Sequence, residues 1–183
     1  MRIIAGSRRG HALFAPTGRN TRPTLDRIKE SMFGILQFEL ADTTVLDLFA
    51  GSGNLGLEAL SRGAAFAVFC DHDRQSAQIV QKNIEKLRFE EQSFLYTMES
   101  AAAIKACAAA QRKFDIVFLD PPYASDLAER SIGQLLESGT LGHKAIIVVE
   151  HEPEKTPSAE GFSADTRRHG EVAFTILRRE GGA

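Results

Sequence analysis

Residues 45–56 read Val-Leu-Asp-Leu-Phe-Ala-Gly-Ser-Gly-Asn-Leu-Gly, and this stretch decides the fold class. The apolar run at 45–49 is typical of a buried strand, and the apolar spacing from 55 to 62 is typical of a helix that Gly63 ends. Between them the spacing Gly-x-Gly-x-x-Gly lets the backbone turn tightly and lets a ligand approach closely. The stretch therefore predicts a strand, a glycine-rich loop and a helix in succession.

The same alternation continues towards the carboxyl terminus. Further strands are predicted at 66–70, 93–98, 114–119 and 145–149, and further helices at 74–87, 101–110 and 127–136. Two more strands lie within 162–179, the second at 172–177, with no helix between them. The pattern predicts an α/β fold with a mostly parallel seven-stranded sheet, helices on both faces and an antiparallel edge hairpin.

Residues 1–40 differ from the rest of the chain. A short strand is predicted from residue 3, then a loop rich in glycine and proline, then a helix from Leu25 that Thr24 can cap. Residues 1–30 hold seven basic and two acidic residues, whereas the remainder holds 15 basic and 22 acidic residues. We therefore divide the chain into a short basic arm with its helix, 1–40, and a main domain, 41–183. Such an arm is typical of phosphate contacts, with a solvated tail as the alternative.

Composition excludes several classes of protein. The 183 residues, 43% hydrophobic and 25% charged, suit one folded domain. There is no apolar run of membrane-spanning length and no signal-peptide pattern, so we expect a cytoplasmic protein without a membrane partner. Cys70 and Cys107 stand alone and are expected to be buried and unreactive. The five histidines show no metal-site spacing; we expect them at the surface or in turns, and expect no metal.

Asp47 ends the first predicted strand, four residues before the first glycine of the loop. Ligands of open α/β sheets bind outside the carboxyl ends of the strands. A carboxylate there suits a cationic group, such as the ammonium and sulfonium of S-adenosylmethionine, better than a pyrophosphate. The alternative is a glycine loop for a dinucleotide, which has the same spacing.

Asp71 ends the second predicted strand and Asp73 follows two residues later. A carboxylate at this point can accept hydrogen bonds from both hydroxyls of a ribose. The alternative role is to cap the following helix, and Asp73, directly before Arg74, fits that role better. We therefore predict that Asp71 binds the ribose of an adenosyl ligand.

Asp120-Pro121-Pro122-Tyr123 follows the fourth predicted strand. Two consecutive prolines supply no backbone N–H, so the turn presents carbonyl oxygens, one carboxylate and one aromatic ring. Such a surface, rich in acceptors, suits a planar base whose exocyclic amine donates hydrogen bonds. The simpler alternative is a turn that only ends the strand. With the two upstream segments, the turn predicts methyl transfer to the amine of a base.

These segments resemble a known family. Asp120-Pro121-Pro122-Tyr123 resembles the motif of amino-methyltransferases that act on adenine, cytosine or guanine. Over nearly its whole length the chain also resembles the bacterial 16S ribosomal RNA guanine-N2 methyltransferases of the RsmD type. That resemblance rests on residues 2–6, 21–27, 46–53, 56–63 and 114–123.

The resemblance implies a Rossmann-like class I methyltransferase fold. It also implies methyl transfer from S-adenosylmethionine to the exocyclic N2 of a guanine in 16S rRNA, within the small ribosomal subunit, by a monomer. The catalytic residues would be Asp120, Pro121, Pro122 and Tyr123. The cofactor would contact Asp47, Phe49, Gly51, Gly53, Asp71 and Glu99. The basic residues of the arm that we predict to contact RNA are Arg8, Arg9, Arg22, Arg27 and Lys29.

Three other functions use parts of the same pattern. A DNA adenine or cytosine amino-methyltransferase would use the same Asp-Pro-Pro-Tyr turn, but those enzymes usually carry an extra region for target recognition. A non-catalytic adenosyl- or RNA-binding module would not need the acceptor turn. A nicotinamide-dependent oxidoreductase would need a proton donor that the sequence does not offer.

Overall fold

The computed structural model describes residues 1–16, 23–122 and 125–180. Within them the helices are Pro23–Ile35 (α1), Asn54–Ser61 (α2), Arg74–Leu87 (α3), Ser100–Ala109 (α4) and Leu127–Ser138 (α5), with a 3₁₀ turn at Glu90–Gln92. The strands are Thr44–Asp47 (β1), Phe66–Asp71 (β2), Ser93–Thr97 (β3), Phe114–Leu119 (β4), Leu141–His151 (β5), Phe162–His169 (β6) and Val172–Arg179 (β7).

The seven strands form one sheet in the order β3-β2-β1-β4-β5-β7-β6. The first five strands are parallel, and β7 pairs antiparallel with both β5 and β6. The predicted parallel sheet and its edge hairpin are confirmed. Strand β5 begins earlier than predicted because Leu141 pairs with Phe114, ahead of an irregularity in the register. The polar residues 142–144 hid this extension from the sequence pattern.

Each face of the sheet is covered by helices. Helices α1, α2 and α3 pack on one face, where the largest buried side chains include Phe33, Phe69 and Phe118. Helices α4 and α5 pack on the other face around Phe114 and Leu135. Strands β1, β2, β4 and β5 are apolar on both faces because both faces are buried, as a parallel sheet between helices requires.

The amino-terminal arm, residues 1–16, lies docked on helices α2 and α3. It contains one antiparallel bridge, between Arg2 and Ala12, in place of the predicted short strand. Its apolar residues Ile3 and Leu13 are buried in the same core cluster as α1 and β1. The arm and the main domain therefore share one hydrophobic core.

The arm approaches α2 at backbone contact distance. The amide of Ser7 donates to the carbonyl oxygen of Ser61 at 2.7 Å. Gly6 has a φ of 83°, and a β-carbon there would lie 1.8 Å from the same carbonyl oxygen. Only glycine fits this contact, because any side chain would push the arm away from the helix.

A buried ionic cluster joins the arm, α1 and α2. The Glu58 carboxylate, fully buried, accepts hydrogen bonds from the backbone amides of Ile4 and Ala5. It also pairs with Lys29 at 3.0 Å and with Arg62 at 2.8 Å. Removing one partner of such a buried pair typically costs about 3–5 kcal/mol, because the remaining charge stays buried.

Candidate active site

The predicted site residues meet at the carboxyl edge of the sheet. The strand order reverses between β1 and β4, and ligands of such sheets bind at this switch point. Asp47 and Asp71 end β1 and β2, and Asp120 directly follows β4. Their charges influence one another, because Asp120 and Asp71 both act on the titration of Asp47. The structure thus brings together three carboxylates that are far apart in the sequence.

Asp47 is buried directly beneath the glycine loop. Its Oδ2 accepts a hydrogen bond from the backbone amide of Gly56 at 2.9 Å, which fixes the first turn of α2. Burial raises the pKa of Asp47 to about 7, the hydrogen bond from Gly56 opposes this shift, and the carboxylates of Asp120 and Asp71 add to it. A cation bound at the loop would stabilise the charged form of Asp47.

The glycine loop runs from residue 50 to residue 53. Gly51 and Gly53 have φ values of 58° and 79°, in the left-handed region that glycine adopts without strain. Gly53 precedes the first residue of α2, so the loop runs directly into the start of the helix. The predicted strand, loop and helix are therefore present, with a helix that begins at Asn54 instead of residue 55.

Asp71 holds this loop from the neighbouring strand. Its Oδ2 accepts a hydrogen bond from the Gly51 amide at 2.8 Å, and its Oδ1 accepts one from the Asp73 amide at 2.9 Å. A carboxylate has about four acceptor positions, so the same group can also accept the hydroxyls of a ribose. Asp73 caps α3 as predicted, since its side chain accepts a hydrogen bond from the Ser76 amide at 2.8 Å.

A further residue of the loop region, Asn83, was missed by sequence reasoning. Its side chain is fully buried, and Nδ2 donates to the carbonyl oxygen of Ser52 at 2.8 Å and to that of Phe14 at 3.0 Å. Its Oδ1 accepts a hydrogen bond from the Phe14 amide at 2.8 Å. Asn83 therefore ties the glycine loop to the arm. A polar residue on the buried face of α3 was the only signal in the sequence.

The two other predicted cofactor residues flank the loop. Phe49 follows β1, is half-buried, and packs against the cluster under α4 and α5. Glu99 follows β3 and is the exposed residue that precedes α4, without a side-chain cap hydrogen bond. Both lie at the carboxyl edge of the sheet, just after β1 and β3, the two strands that flank β2.

The acceptor turn follows β4. Asp120 is half-buried, Pro121 is buried and Pro122 is exposed, while the predicted Tyr123 lies outside the described residues. The Ser125 hydroxyl donates to the carbonyl oxygen of Pro122 at 2.7 Å. A cleft opens beside the turn. The residues that line it are Pro121, Pro122, Ser125, Ala128, Glu129, Val149, Glu150, His151, Glu152, Lys155 and Pro157.

Glu150 is the second residue that sequence reasoning missed. Val149 is registered opposite Leu119, so Glu150 follows beside Asp120 on the adjacent parallel strand. Glu150 lies near the end of β5 and Asp120 directly follows β4, so both belong to the same carboxyl edge of the sheet. Glu150 lines the cleft, and Asp120 directly precedes Pro121, the first residue of the turn that lines it.

The five predicted RNA contacts separate into different environments. Arg9 and Arg27 are exposed. Arg8 is half-buried; its Nε donates to the carbonyl oxygen of Leu87 at 2.7 Å and its guanidinium lies 5.1 Å from the centre of the Phe89 ring. Arg22 lies outside the described residues.

Lys29 requires a correction. Its side chain is 2% exposed, and Nζ contacts Glu58, the Arg2 carbonyl and the Asn54 side chain. Burial lowers the pKa of Lys29, and the Glu58 carboxylate opposes that shift. A cation enclosed in this way is not available to a phosphate, so Lys29 supports the arm instead of contacting RNA.

Cysteines and histidines play no evident chemical part. Cys70 and Cys107 are buried as predicted, and burial raises the pKa of Cys70 to about 12. His151 is buried, contrary to expectation, because Nε2 and Nδ1 meet the Thr175 hydroxyl and the Glu152 carbonyl. His169 stacks on Phe174. In the described part of the chain, no group of three or more potential ligands could hold a metal ion, and no helix is long and apolar enough to cross a membrane.

This arrangement fits the cationic adenosyl ligand expected from the sequence. Asp47 supplies negative charge beneath the loop, Asp71 supplies hydroxyl acceptors, and the loop has no side chain larger than serine from residue 50 to 53. The acceptor turn lies next to this region through β1 and β4. The edge can therefore hold an electrophile on one side and an amine on the other.

Comparison with known proteins gives a consistent family. Residues 1–178 match the family model described as "Conserved hypothetical protein 95". The chain is 37% identical to ribosomal RNA small subunit methyltransferase D of Escherichia coli K12, over 98% of this chain and 90% of the relative.

Solved structures agree with the fold. A structure from Escherichia coli, described as a methyltransferase, superimposes with a TM-score of 0.86 at 35% identity, covering 100% of this chain and 99% of the other. A more distant structure, a methyltransferase complexed with SAH, shares the fold at 17% identity with a TM-score of 0.63, covering 79% of this chain and 49% of the other.

Proposed function

The chain belongs to the "Conserved hypothetical protein 95" family, which includes ribosomal RNA small subunit methyltransferase D, and from this premise we propose that it methylates rRNA. The proposed reaction transfers a methyl group from S-adenosylmethionine to the exocyclic N2 of a guanine in 16S rRNA. The observation that carries the proposal is the position of Asp120, Pro121 and Pro122 beside the glycine loop and its two carboxylates.

In the proposed reaction Asp120 and the Pro121 carbonyl accept hydrogen bonds from the amine of the base. An aromatic amine is a weak nucleophile because its lone pair is delocalised into the ring. Holding both N–H groups would direct the lone pair at the methyl carbon, so that the N–C bond forms as the S–C bond breaks and a neutral thioether leaves. The Asp120 carboxylate would stabilise the positive charge that develops on nitrogen and would accept the proton that the nitrogen then loses. Bound S-adenosylmethionine supplies the electrophilic methyl group, held by Asp47, Asp71 and the loop.

The cleft supports guanine over the other bases. Guanine presents N1–H and the N2 amine as adjacent donors on one edge, whereas adenine presents an amine beside an acceptor nitrogen. A carboxylate that lines the cleft, Glu150, and a second one at the start of the turn, Asp120, would match the donors of guanine and repel the acceptor of adenine. We therefore assign the reading of N1–H to Glu150.

The proposed partner is 16S rRNA within the small ribosomal subunit, approached by a monomer in the cytoplasm. The exposed Arg9 of the arm and the exposed Arg27 of α1 would contact its phosphates. The small contact surface of the arm favours an assembled particle, because a folded substrate presents its backbone in a fixed arrangement.

The proposal is tested by methyl transfer from labelled S-adenosylmethionine to small ribosomal subunits that lack the modification. Free 16S rRNA, DNA and fully modified subunits are assayed in parallel, with nucleoside analysis of each product. We expect N2-methylguanosine in the unmodified subunits alone. Label in DNA, or as N6-methyladenine, would favour the DNA amino-methyltransferase alternative. Cofactor binding without methyl transfer to any substrate would favour the alternative of a non-catalytic binding module.

The base assignment has its own test, substitution of the target guanine by 2-aminopurine in reconstituted subunits. This analogue keeps the N2 amine but replaces N1–H by an acceptor. The wild type should methylate it at least about tenfold more slowly than guanine, and Glu150→Gln should narrow or reverse that ratio, because the amide can donate to N1. If the ratio of the guanine rate to the 2-aminopurine rate were the same in Glu150→Gln as in the wild type, Glu150 would have no part in base recognition.

A further inference from the structure

Phe14 is an exposed aromatic ring at the end of the docked arm. Half of its surface, 50%, is accessible to solvent, although its neighbour Leu13 is buried in the core. Single exposed apolar residues are common and need no special explanation. What separates Phe14 from that class is how it is held.

The backbone of Phe14 is fixed from both sides by one buried side chain. Asn83 accepts a hydrogen bond from its amide at 2.8 Å and donates one to its carbonyl oxygen at 3.0 Å. The same Nδ2 donates to Ser52 in the glycine loop at 2.8 Å. The ring of Phe14 is therefore presented on a fixed backbone, and the Asn83 side chain links that backbone directly to the glycine loop.

Lys86 of α3 lies against the same ring. Its Nζ is 4.7 Å from the ring centre, within the range of a cation–π contact, and it donates to the Ala12 carbonyl at 2.6 Å. Lys82, one turn earlier on the exposed surface of α3, adds a further positive charge on the same side of the helix. An exposed ring with cations around it matches a nucleotide, which offers a flat base and a phosphate.

Phe38 provides the contrast. It is 89% exposed in the connection after α1, and in the described part of the chain it makes no ring or cation contact. Phe38 is thus an ordinary exposed side chain. The same residue type at Phe14 has a clamped backbone, a cation on the ring and a link to the active-site loop.

We propose that Phe14 and Lys86 form a stacking site for an unpaired RNA nucleotide that flanks the target. The base would stack on the exposed part of the ring, and Lys86 would face the adjacent phosphate. This inference rests on the proposed function, since it takes the RNA strand to be the substrate. It assigns to the arm a contact with a base in addition to the phosphate contacts of its arginines.

Fluorescence tests the stacking directly, because the chain contains no tryptophan. Phe14→Trp and Phe38→Trp each introduce a single tryptophan. Each variant, saturated with SAH, is titrated with a short single-stranded RNA and with the same RNA carrying abasic nucleotides. We expect the base-containing RNA to quench Phe14→Trp, the abasic RNA to leave it unquenched, and neither RNA to affect Phe38→Trp.

Kinetics supply the second measurement. Phe14→Ala and Phe14→Leu should raise the KM for unmodified small subunits about 5- to 50-fold, which corresponds to loss of one stacked base. The kcat and the cofactor Kd should stay within twofold, and Phe14→Trp should retain a wild-type KM. Phe38→Ala serves as the matched control without effect.

The outcomes separate this inference from the proposed function. A wild-type KM in Phe14→Ala, or quenching of Phe14→Trp by abasic RNA, would overturn the stacking site while the methylation assay stands. Quenching of Phe14→Trp by whole subunits but by no RNA would overturn it in favour of a protein contact. Base-dependent quenching together with an absence of methyl transfer would support the site and contradict the proposed reaction.

Discussion

The two halves of the carboxyl edge are built differently. Around β1 and β2 the polar side chains are engaged with backbone: Asp47 holds Gly56, Asp71 holds Gly51 and Asn83 holds Ser52. Around β4 and β5 the acceptors are half-buried or exposed: Glu150 and Pro122 line the cleft, and Asp120 begins the turn beside it.

The difference in burial indicates which part of the edge is more open to an arriving substrate. A loop whose amides and carbonyls are already held by buried side chains loses little freedom when a small cofactor binds. A more open cleft can admit a base that arrives with a large and irregular RNA. Variants in the two halves should therefore affect different steps: binding of the cofactor on one side, and methyl transfer or RNA binding on the other.

The largest effect is expected from Asp120→Ala. It should lower kcat at least about 100-fold, because it removes the acceptor that orients the amine and stabilises the developing charge. The cofactor Kd, measured by calorimetry, should change less than twofold. Asp126→Ala, an exposed carboxylate a short distance along the chain, is the control with wild-type turnover. A near-normal kcat in Asp120→Ala would show that this residue does not act in catalysis.

Asn83→Ala should act on the opposite half. It leaves the Phe14 amide and two carbonyl oxygens without their partner, at a cost of about 2–4 kcal/mol in the free energy of unfolding. The cofactor Kd should rise with it, while kcat at saturating cofactor should remain within a fewfold of the wild type. Denaturant unfolding and calorimetry measure the two quantities. Gln81→Ala, exposed on the same helix, should change neither; unaltered stability in Asn83→Ala would mean that the loop is held by other contacts.

A smaller effect is expected from pH. The pKa of Asp47, raised to about 7, means that the carboxyl is mostly neutral below that value and charged above it. The charged form attracts a cationic cofactor, so affinity for S-adenosylmethionine should rise about three- to tenfold from about pH 6 to about pH 8. Asp47→Asn should flatten this profile.

The raised pKa of Asp47 also predicts how the stability of the protein without cofactor depends on pH. The folded state keeps a proton that the unfolded chain releases above its ordinary pKa of 3.8, so stability should fall as pH rises from there to about 7. Asp73→Asn is the control, because hydrogen bonds from Ser76 lower the pKa of Asp73 and its titration lies below this window. An unchanged pH profile in Asp47→Asn would rule out Asp47 as the titrating group.

The smallest effects are expected from the exposed arginines of the arm and of α1. Arg9→Ala and Arg27→Ala should each raise the KM for subunits about two- to fivefold. Each should also reduce the slope of log affinity against log salt by about one, as the loss of one phosphate contact requires. Lys105→Ala, at an exposed residue of α4, is the control and should change neither the KM nor the salt slope. A variant that carries both Arg9→Ala and Arg27→Ala is then measured in the same way. If its affinity depended on salt as steeply as that of the wild type, the phosphate contacts would lie elsewhere.

The sequence by itself determined the order of strands and helices and three carboxylates at strand ends. Both depend on local patterns: apolar periodicity sets the elements, and the carboxyl end of a parallel strand is a fixed position relative to the sheet. The acceptor turn at Asp120 could be predicted for the same reason, since two prolines restrict the backbone whatever surrounds them.

Only the tertiary structure decided the roles of Lys29, Asn83 and Glu150. Lys29 is a cation in a basic segment, and nothing local distinguishes it from Arg27; it is buried because Glu58 of α2 and the Arg2 carbonyl of the arm lie against it. Asn83 and Glu150 acquire their positions from Phe14 and from Leu119, both distant in sequence. Partners that only folding brings together leave no periodic signal in the chain, which is why sequence reasoning could not find them.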